Sequence, residues 1–300
     1  MQRKFIYLIN PISGTKNKEA LLKLIEKKTV LQKIPFQILP TNKQGNYQYL
    51  VQKIAEEKIT DIIICGGDGT INQVASALLH VKINIGIIPM GSGNGLAFAA
   101  GIKKNPYKAL DIIFAGKSMA IDSFYINKKF SCMLCGLGFD AQVAHDFAQQ
   151  PSRGLSTYIQ QTVKNFFKAK AYPFTIEINN STLHTDAFFI SIANSNQFGN
   201  HVTIAPKASL SDGLLDIVVV NKMSKIKMIY TVLKQIRIGK VKAFAATHQK
   251  NKPIRYFQTK KMIIHNPALA PLHIDGDPAK TSKHFEIEVI EKAFRLLQPL

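Results

Sequence analysis

DIIICGGDGTINQVASALL, residues 61–79, runs directly into HVKINIGIIPMGSGNGLAFAA, residues 80–100. Each half follows one plan: a short β-branched apolar run, a glycine-rich turn, then apolar residues at helical spacing. Such runs, bounded by glycine, read as buried strands. The turns are Gly66-Gly67-Asp68-Gly69-Thr70 and Gly91-Ser92-Gly93-Asn94-Gly95. Glycine lets backbone approach an anion closely, and amides at a helix start face it. Two such turns at successive strand ends point to one phosphate-handling site. Asp68 would repel a phosphate, so its expected place is at a metal ion or a hydroxyl group. Thr70 is expected to cap a helix beginning near Ile71 or to donate to a phosphate oxygen.

The same alternation extends outward. Phe5 to Asn10, Phe36 to Thr41, Asp61 to Cys65 and Ile85 to Pro89 read as strands. Glu19 to Val30, Tyr47 to Glu57, Ile71 to Leu79 and Pro106 to Phe114 read as helices, the last opened by a first-turn proline. Alternation of this kind predicts a parallel sheet covered by helices. Ligands of such sheets gather at the strand carboxyl ends, a rim marked here by Asn10, Thr41, Gly66 and Met90, with Ser13 in the turn after Asn10.

Near residue 120 the texture changes to strands: Ile121 to Ile126, Phe130 to Leu134, Pro173 to Ile178, Ala187 to Ala193, Leu215 to Val220 and Lys260 to His265. Helical patterns at Leu155 to Ala169 and Ser224 to Ile238 interrupt them, and two short strands, Phe285 to Ile290 and Phe294 to Leu297, close the chain. The expected fold is two-domain α/β plus β. Residues 1–120 form a parallel-sheet nucleotide-binding domain. Residues 121–300 form an antiparallel, β-sandwich-like domain whose last strands can pack back on the first.

The chain has 300 residues, 46% of them hydrophobic, and a formal charge of +20. That length supports two cores, and that charge implies an anionic partner: nucleic acid, an acidic membrane or phosphorylated ligands. No apolar run is long enough to span a bilayer. Three cysteines without a secretory leader argue for a reducing, cytoplasmic compartment. Cys132 and Cys135 fall on opposite faces of a strand, which disfavours metal or redox use. The eight histidines show no zinc spacing. Aromatic and basic residues do not interleave as on an RNA platform, so nucleic acid is not expected.

Neither glycine turn is a P-loop, which needs GxxxxGK[ST]. The dinucleotide fingerprint fails because Leu96 stands in place of its third glycine. The ordered set NPISG (10–14), GGDGTINQVASALL (66–79), PMGSGNGLAFA (89–99), GLGFDAQV (136–143), PKASLSDGLLD (206–216) and IDGD (274–277) instead resembles the diacylglycerol kinase catalytic family. That family includes bacterial lipid kinases and sphingosine kinases, and the strings span most of the chain. GGDGT alone is shared with NAD kinases.

The resemblance implies an ATP- and magnesium-dependent lipid kinase with the NAD kinase/diacylglycerol kinase type of fold. Its N-terminal domain would bind ATP, and a β-rich domain would close a cleft over it and hold the lipid. Gly66, Gly67, Asp68, Gly69, Thr70, Gly91, Ser92, Gly93 and Asn94 would contact the nucleotide, with Asn10, Ser13 and Thr41 lining its pocket. Asp275 would be the base, with Asp68 as rival base or metal-side group. The common bacterial DGE string is here Asp275-Gly276-Asp277, so Asp277 has one methylene less reach at the nucleotide. Asp212 and Asp216 are the expected magnesium contacts, although Asp212 alone reads as turn chemistry.

The acceptor would be the primary hydroxyl of diacylglycerol or a sphingoid base. Residues 138–156 are expected near the acyl chain, with His145 at the pocket edge. Ser224 to Phe244 carries an apolar stripe with six surrounding or following basic residues, the pattern of an interfacial helix. Peripheral contact with anionic membrane would account for the charge. A homodimer stays open. The alternatives are an NAD kinase-like enzyme with a soluble acceptor and a non-catalytic basic membrane-binding protein.

Overall fold

The computed structural model describes residues 2–10, 18–42, 44–151, 154–197, 205–224 and 253–299. The chain forms two units, residues 1–122 with 291–300, and residues 123–290.

In the first unit, β1 (Phe5–Ile9), β2 (Phe36–Pro40), β3 (Asp61–Gly66) and β4 (Asn84–Pro89) pair in parallel in the order β2-β1-β3-β4. Helices α1 (Lys18–Leu31), α2 (Tyr49–Glu57) and α3 (Asp68–Ala77) supply the crossovers. β1 and β3 are buried at every position, as expected of strands covered on both faces. The order reverses between β1 and β3, so Asn10 and Gly67 follow strands that flank the topological switch point. Short α4 (Gly95–Ala99) and α5 (Pro106–Ala115) complete the unit. α5 starts as its sequence predicts, with Pro106 in the first turn and Asn105 Oδ1 accepting the Lys108 amide at 3.2 Å.

At the opposite end of β3, Arg3 forks onto buried Asp61, with Nη2–Oδ1 2.6 Å and Nε–Oδ2 3.1 Å. Thr60 and Asn84 donate to the same carboxylate, and Arg3 Nη1 donates to the Ile113 and Phe114 carbonyls. This network ties the strand starts to α5.

The second unit is an antiparallel β-sandwich-like domain. Its strands include the end of β5 (Ser118–Ile126), β6 (Lys129–Ser131), β7 (Leu134–Gly138), β8 (Tyr172–Ile178) and β9 (Ser181–Ala193). β10 (Leu215–Asn221), β11 (Ile254–Thr259), β12 (Lys261–His265), β13 (Leu272–Ile274) and β14 (Asp277–Ala279) follow. β9 serves several neighbours: its first half pairs with β8, and its second half lies between β7 and β10. The core packs Phe124, Leu137, Phe174, Ile190, Ile217, Ile264 and Phe285 with their neighbours. Helices α6 (Phe139–Ala148) and α7 (Leu155–Lys168) pack together in this unit.

Three expectations change. α3 begins at Asp68, so Thr70 lies in its first turn and Gly67 is the N-cap. Residues 139–148 form a helix that the strand-dominated reading passed over. The two tail strands are one, β15 (His284–Leu297). β15 pairs antiparallel with β12 in the second unit, and its last residues pair in parallel with β4 in the first. Ser13 and nearly all of the basic 224–244 stretch lie outside the described residues.

Candidate active site

The two glycine turns meet backbone to backbone. A Cβ on Gly91 would fall 2.7 Å from Gly67 Cα, and one on Gly67 would fall 3.0 Å from Gly91 Cα. A side chain at Gly91 would force backbone apart, and one at Gly67 would be tight. Buried Asn94 fixes the second turn from a left-handed conformation with φ +53°. Its Oδ1 accepts the Gly91 amide at 2.8 Å, and its Nδ2 donates to the Gly91 carbonyl at 2.7 Å.

Asp68 joins the two turns across space. Its Oδ2 accepts the Gly95 amide at 3.0 Å and its Oδ1 accepts the Leu96 amide at 3.3 Å. A carboxylate at the first amides of a helix satisfies donors that have no partner within the helix. Thus the acidic residue of the first turn caps the helix after the second. Asn10 Nδ2 donates to Thr70 Oγ1 at 3.2 Å, while the Thr41 amide donates to the Ile9 carbonyl at 3.0 Å. Asn10, Thr41, Gly66 to Thr70 and Gly91 to Asn94 therefore share one rim. Ser92 stands exposed on it, and Gly69 lies in the first turn of α3.

Asp275 and Gly276 form the two-residue turn between β13 and β14, with φ +49° and +86°. Asp-Gly is suited to such a turn because both positions need positive φ. The Asp275 side chain points inward and is 7% exposed. Oδ1 accepts from Ser131 Oγ (2.6 Å), the Met133 amide (3.1 Å) and the Leu134 amide (3.0 Å). Oδ2 accepts from the Cys132 amide (3.0 Å) and lies 3.5 Å from its thiol. The carboxylate organises the β6–β7 connection. Asp277, two residues on, is exposed.

Asp212 and Asp216 differ. Exposed Asp212 accepts the Leu214 amide at 3.1 Å, an Asx turn. Asp216 is fully buried; Oδ2 accepts from Gln258 Nε2 at 3.4 Å and Oδ1 has no hydrogen-bond partner among the described residues. Burial pushes its carboxyl up to about 7, and the Asp212 charge adds to the rise while Gln258 opposes it. An unpartnered buried carboxylate oxygen near a second carboxylate suits a hard cation. Among the described residues no three His, Cys, Asp or Glu side chains form a metal-sized cluster, so backbone or solvent oxygens would complete any such shell.

One pair escaped sequence reading. His273 Nδ1 accepts the Gly276 amide at 3.3 Å, which leaves the ring proton on Nε2, 3.5 Å from Asp140 Oδ2. Both residues are buried. Burial raises the Asp140 carboxyl above the ordinary range, opposed by the His273 ring. The two side chains crowd over Gly136, where a Cβ would fall 2.0 Å from Asp140 Oδ2 and 2.4 Å from His273 Nε2. The available signal was a glycine inside an apolar strand, a mark of close approach. His145 Nε2 donates to the Leu272 carbonyl at 2.8 Å and so braces α6 against β13. A cavity of about 880 Å³ in this unit, around Glu177, Asn179, Met262 and Glu288, touches none of the candidate site residues.

A parallel sheet with paired glycine turns on the strand-end rim, and a sandwich carrying an inward aspartate, are the two domains of a fold of the NAD kinase/diacylglycerol kinase type. The profile of the diacylglycerol kinase catalytic domain matches residues 4–126, and that of the YegS C-terminal NAD kinase beta sandwich-like domain matches residues 134–298. The chain belongs to the YegS-like bacterial lipid kinase family, a family of lipid-kinase-type phosphotransferases. It is 29% identical over 262 residues to a probable lipid kinase YegS-like protein of Shewanella frigidimarina, covering 84% of this chain and 80% of that one. It is 27% identical over 275 residues to the probable lipid kinase YegS of Salmonella typhimurium, covering 89% and 87%. A crystal structure of a diacylglycerol kinase from Bacillus anthracis superposes with a TM-score of 0.74 at 20% identity, over 99% of this chain and 97% of that one. At that identity the likeness carries the fold.

Proposed function

We propose that this protein transfers the γ-phosphoryl group of ATP to the primary hydroxyl of a membrane lipid, diacylglycerol or a sphingoid base. The observation that carries the reading is the Gly67–Gly91 contact on the strand-end rim, where the two turns approach backbone to backbone. In the proposed mechanism the Gly66 to Thr70 and Gly91 to Asn94 turns hold the phosphates, with the Gly91 amide itself engaged by Asn94 Oδ1, and Asn10, Ser13 and Thr41 line the nucleotide pocket. Magnesium, when bound, neutralises charge on the transferring oxygens. Asp212 and Asp216 would hold a magnesium ion in the second unit, and Asp68 and Asp277 serve the metal and nucleotide side. Asp275 takes the hydroxyl proton. The lipid oxygen then forms its bond to γ-phosphorus as the bond to the β-phosphate oxygen breaks, and ADP leaves. Asp68 does two jobs: it ties the turns together and orients the hydroxyl or its metal.

Among the described residues no helix is long and apolar enough to cross a membrane. The test is incubation of purified protein with labelled ATP, magnesium and separate diacylglycerols, sphingoid bases and NAD. Label in a lipid product supports the proposal. Label in NAD alone overturns it and favours a soluble acceptor.

A further inference from the structure

The hairpin that carries Asp275 is small. β13 and β14 have three residues each, and β14 lies at the end of the strand order. A two-stranded hairpin has little stability of its own, so the groups that hold this one decide where Asp275 stands. Two ties reach its backbone from β7 and α6. The Asp275 amide donates to the Leu134 carbonyl at 2.8 Å, and His145 Nε2 donates to the Leu272 carbonyl at 2.8 Å.

His273 supplies a third tie. Side chains alternate along β13, so Leu272 and Ile274 face the sandwich core while His273 faces α6. His273 is fully buried and stands opposite Gly136 in the β13–β7 register. Because Gly136 carries no side chain, the ring has room beside β7 and reaches Asp140, the second residue of α6. Asp140 is itself fixed, its Oδ1 accepting the Ala141 amide at 2.8 Å. On the other side of the ring, Nδ1 accepts the Gly276 amide at 3.3 Å. A ring nitrogen that accepts an N–H carries no proton, so the ring proton sits on Nε2, on the Asp140 side. The chain of contacts runs from the first turn of a helix, through an imidazole, to the peptide that follows Asp275.

That peptide matters. The Gly276 amide belongs to the unit on one side of the Asp275 Cα, and the Asp275 amide belongs to the unit on the other. With both units held, by His273 and by Leu134, the backbone at Asp275 keeps its left-handed conformation, φ +49°, and its side chain keeps one direction. An apolar residue at 273 would fill the space beside α6 and leave the Gly276 amide without this acceptor. Apolar replacement of a buried charged pair is often neutral or stabilising, so stability alone does not call for this pair.

We propose that His273, oriented by Asp140, is a positioning residue for Asp275: it holds the Asp275-Gly276 turn so that the carboxylate is presented in one geometry. The proposal rests on the reading of Asp275 as the base in lipid phosphorylation, and adds to it two buried residues that act through the turn.

Turnover with ATP and the best lipid acceptor is measured for His273→Leu, His273→Asn, His273→Gln and Asp140→Asn, alongside Asp275→Asn. Asparagine places an amide oxygen near the Nδ1 position, where it can accept the Gly276 amide. Leucine offers no acceptor, and glutamine reaches toward Asp140 instead. His273→Leu is expected to lower kcat about tenfold or more, since ~1 Å of misplacement can cost ~100-fold. The KM for ATP should stay within about twofold, because the nucleotide turns are untouched. His273→Asn should recover most of the lost kcat, and Asp140→Asn should fall between. A folded His273→Leu enzyme with wild-type kcat and only a lower melting temperature overturns the proposal. Where His273→Leu does not fold, equal kcat in His273→Asn and His273→Gln overturns it.

The turn is also read without chemistry, by hydrogen exchange of the Gly276 amide in protein labelled with 15N-glycine. Exchange should be at least about tenfold faster in His273→Leu or His273→Gln than in the wild type or His273→Asn. An unchanged rate overturns the proposal whatever the turnover. A fully active Asp275→Asn overturns the base reading instead, and the exchange rates then decide the hold on the turn alone.

Discussion

The Asp68 carboxylate accepts the Gly95 amide at 3.0 Å, so one side chain of the first glycine turn caps the helix that follows the second. The turns are parts of one object, held by this bond, by the Gly67–Gly91 contact and by the Asn94 clamp on the Gly91 peptide. The acidic residue of this glycine turn thus has a structural reason to be there, independent of any metal.

Gly91→Ala tests the contact. Its Cβ would stand 2.7 Å from Gly67 Cα, backbone against backbone, and one turn must move. The expected result is a rise of about tenfold or more in the KM for ATP, since misplacing a positioning group by ~1 Å can cost up to ~100-fold. The melting temperature should fall by less than that of a core variant. Kinetics indistinguishable from wild type would remove the turns from the nucleotide site.

Asp275→Asn is usually read as removal of a base, but here it has a second effect. An Asn side chain would turn an amide donor toward one of the two oxygen positions, both of which now face backbone N–H groups. An unsatisfied buried donor costs about 1–3 kcal/mol. We expect lower thermal stability together with lost turnover. Ser131→Ala, which removes one donor from Oδ1 alone, should retain most turnover. A stable, fully active Asp275→Asn enzyme would rule out both the anchoring and the base role.

Asp216 gives a pH dependence with a definite sign. Its folded-state carboxyl titrates at about 7, above its ordinary unfolded value, so the folded chain holds a proton that the unfolded chain has released. That stabilisation is complete below the unfolded value and is lost as pH rises through about 7. Thermal melts between pH 4 and 8 should therefore show a decline that Asp216→Asn flattens. Magnesium binds the ionised form, so it should raise the wild-type melting temperature more at pH 8 than at pH 5.5, and chelator should reverse the gain. An equal magnesium response in Asp216→Asn would place the ion elsewhere.

Arg3→Ala probes the other end of β3. It leaves the Asp61 carboxylate, 0% exposed, without its cation. Breaking a buried pair costs about 3–5 kcal/mol. Because Arg3 keeps some exposure, the lower end of that range is expected in a denaturant melt, with the KM for ATP unchanged where the variant is folded. Adding Asp61→Asn should recover part of the loss.

Local features of this fold were legible in the chain. Glycine after a β-branched run marks the end of β3 whatever else surrounds it, and Pro106 marks the start of α5 in the same way. Asp275-Gly276 likewise reads as a tight turn because positive φ is a property of those residues. What stayed hidden involves partners distant in sequence. Asp68 could not be seen as the cap of a helix 27 residues on. Asp140 could not be matched to His273 before the β7–β13 register placed Gly136 opposite it. Residues 139–148 were missed because a glycine-rich, motif-bearing start at Gly138 masks a helix, and Phe285 to Leu297 looked like two strands because exposed Glu291 and Lys292 interrupt the apolar pattern.

By itself the amino-acid sequence determined the two glycine turns, the switch from parallel-sheet to sandwich texture near residue 120, and the family they spell out together. Those follow from short-range sterics, periodicity and residue order. Tertiary structure alone decided that Gly67 and Gly91 touch, that the Asp275 carboxylate is enclosed by donors of residues 131–134, and that α7 turns Ile159, Val163 and Phe167 to solvent. Each depends on what lies opposite a side chain across space, and helical spacing specifies a face without specifying which way it points.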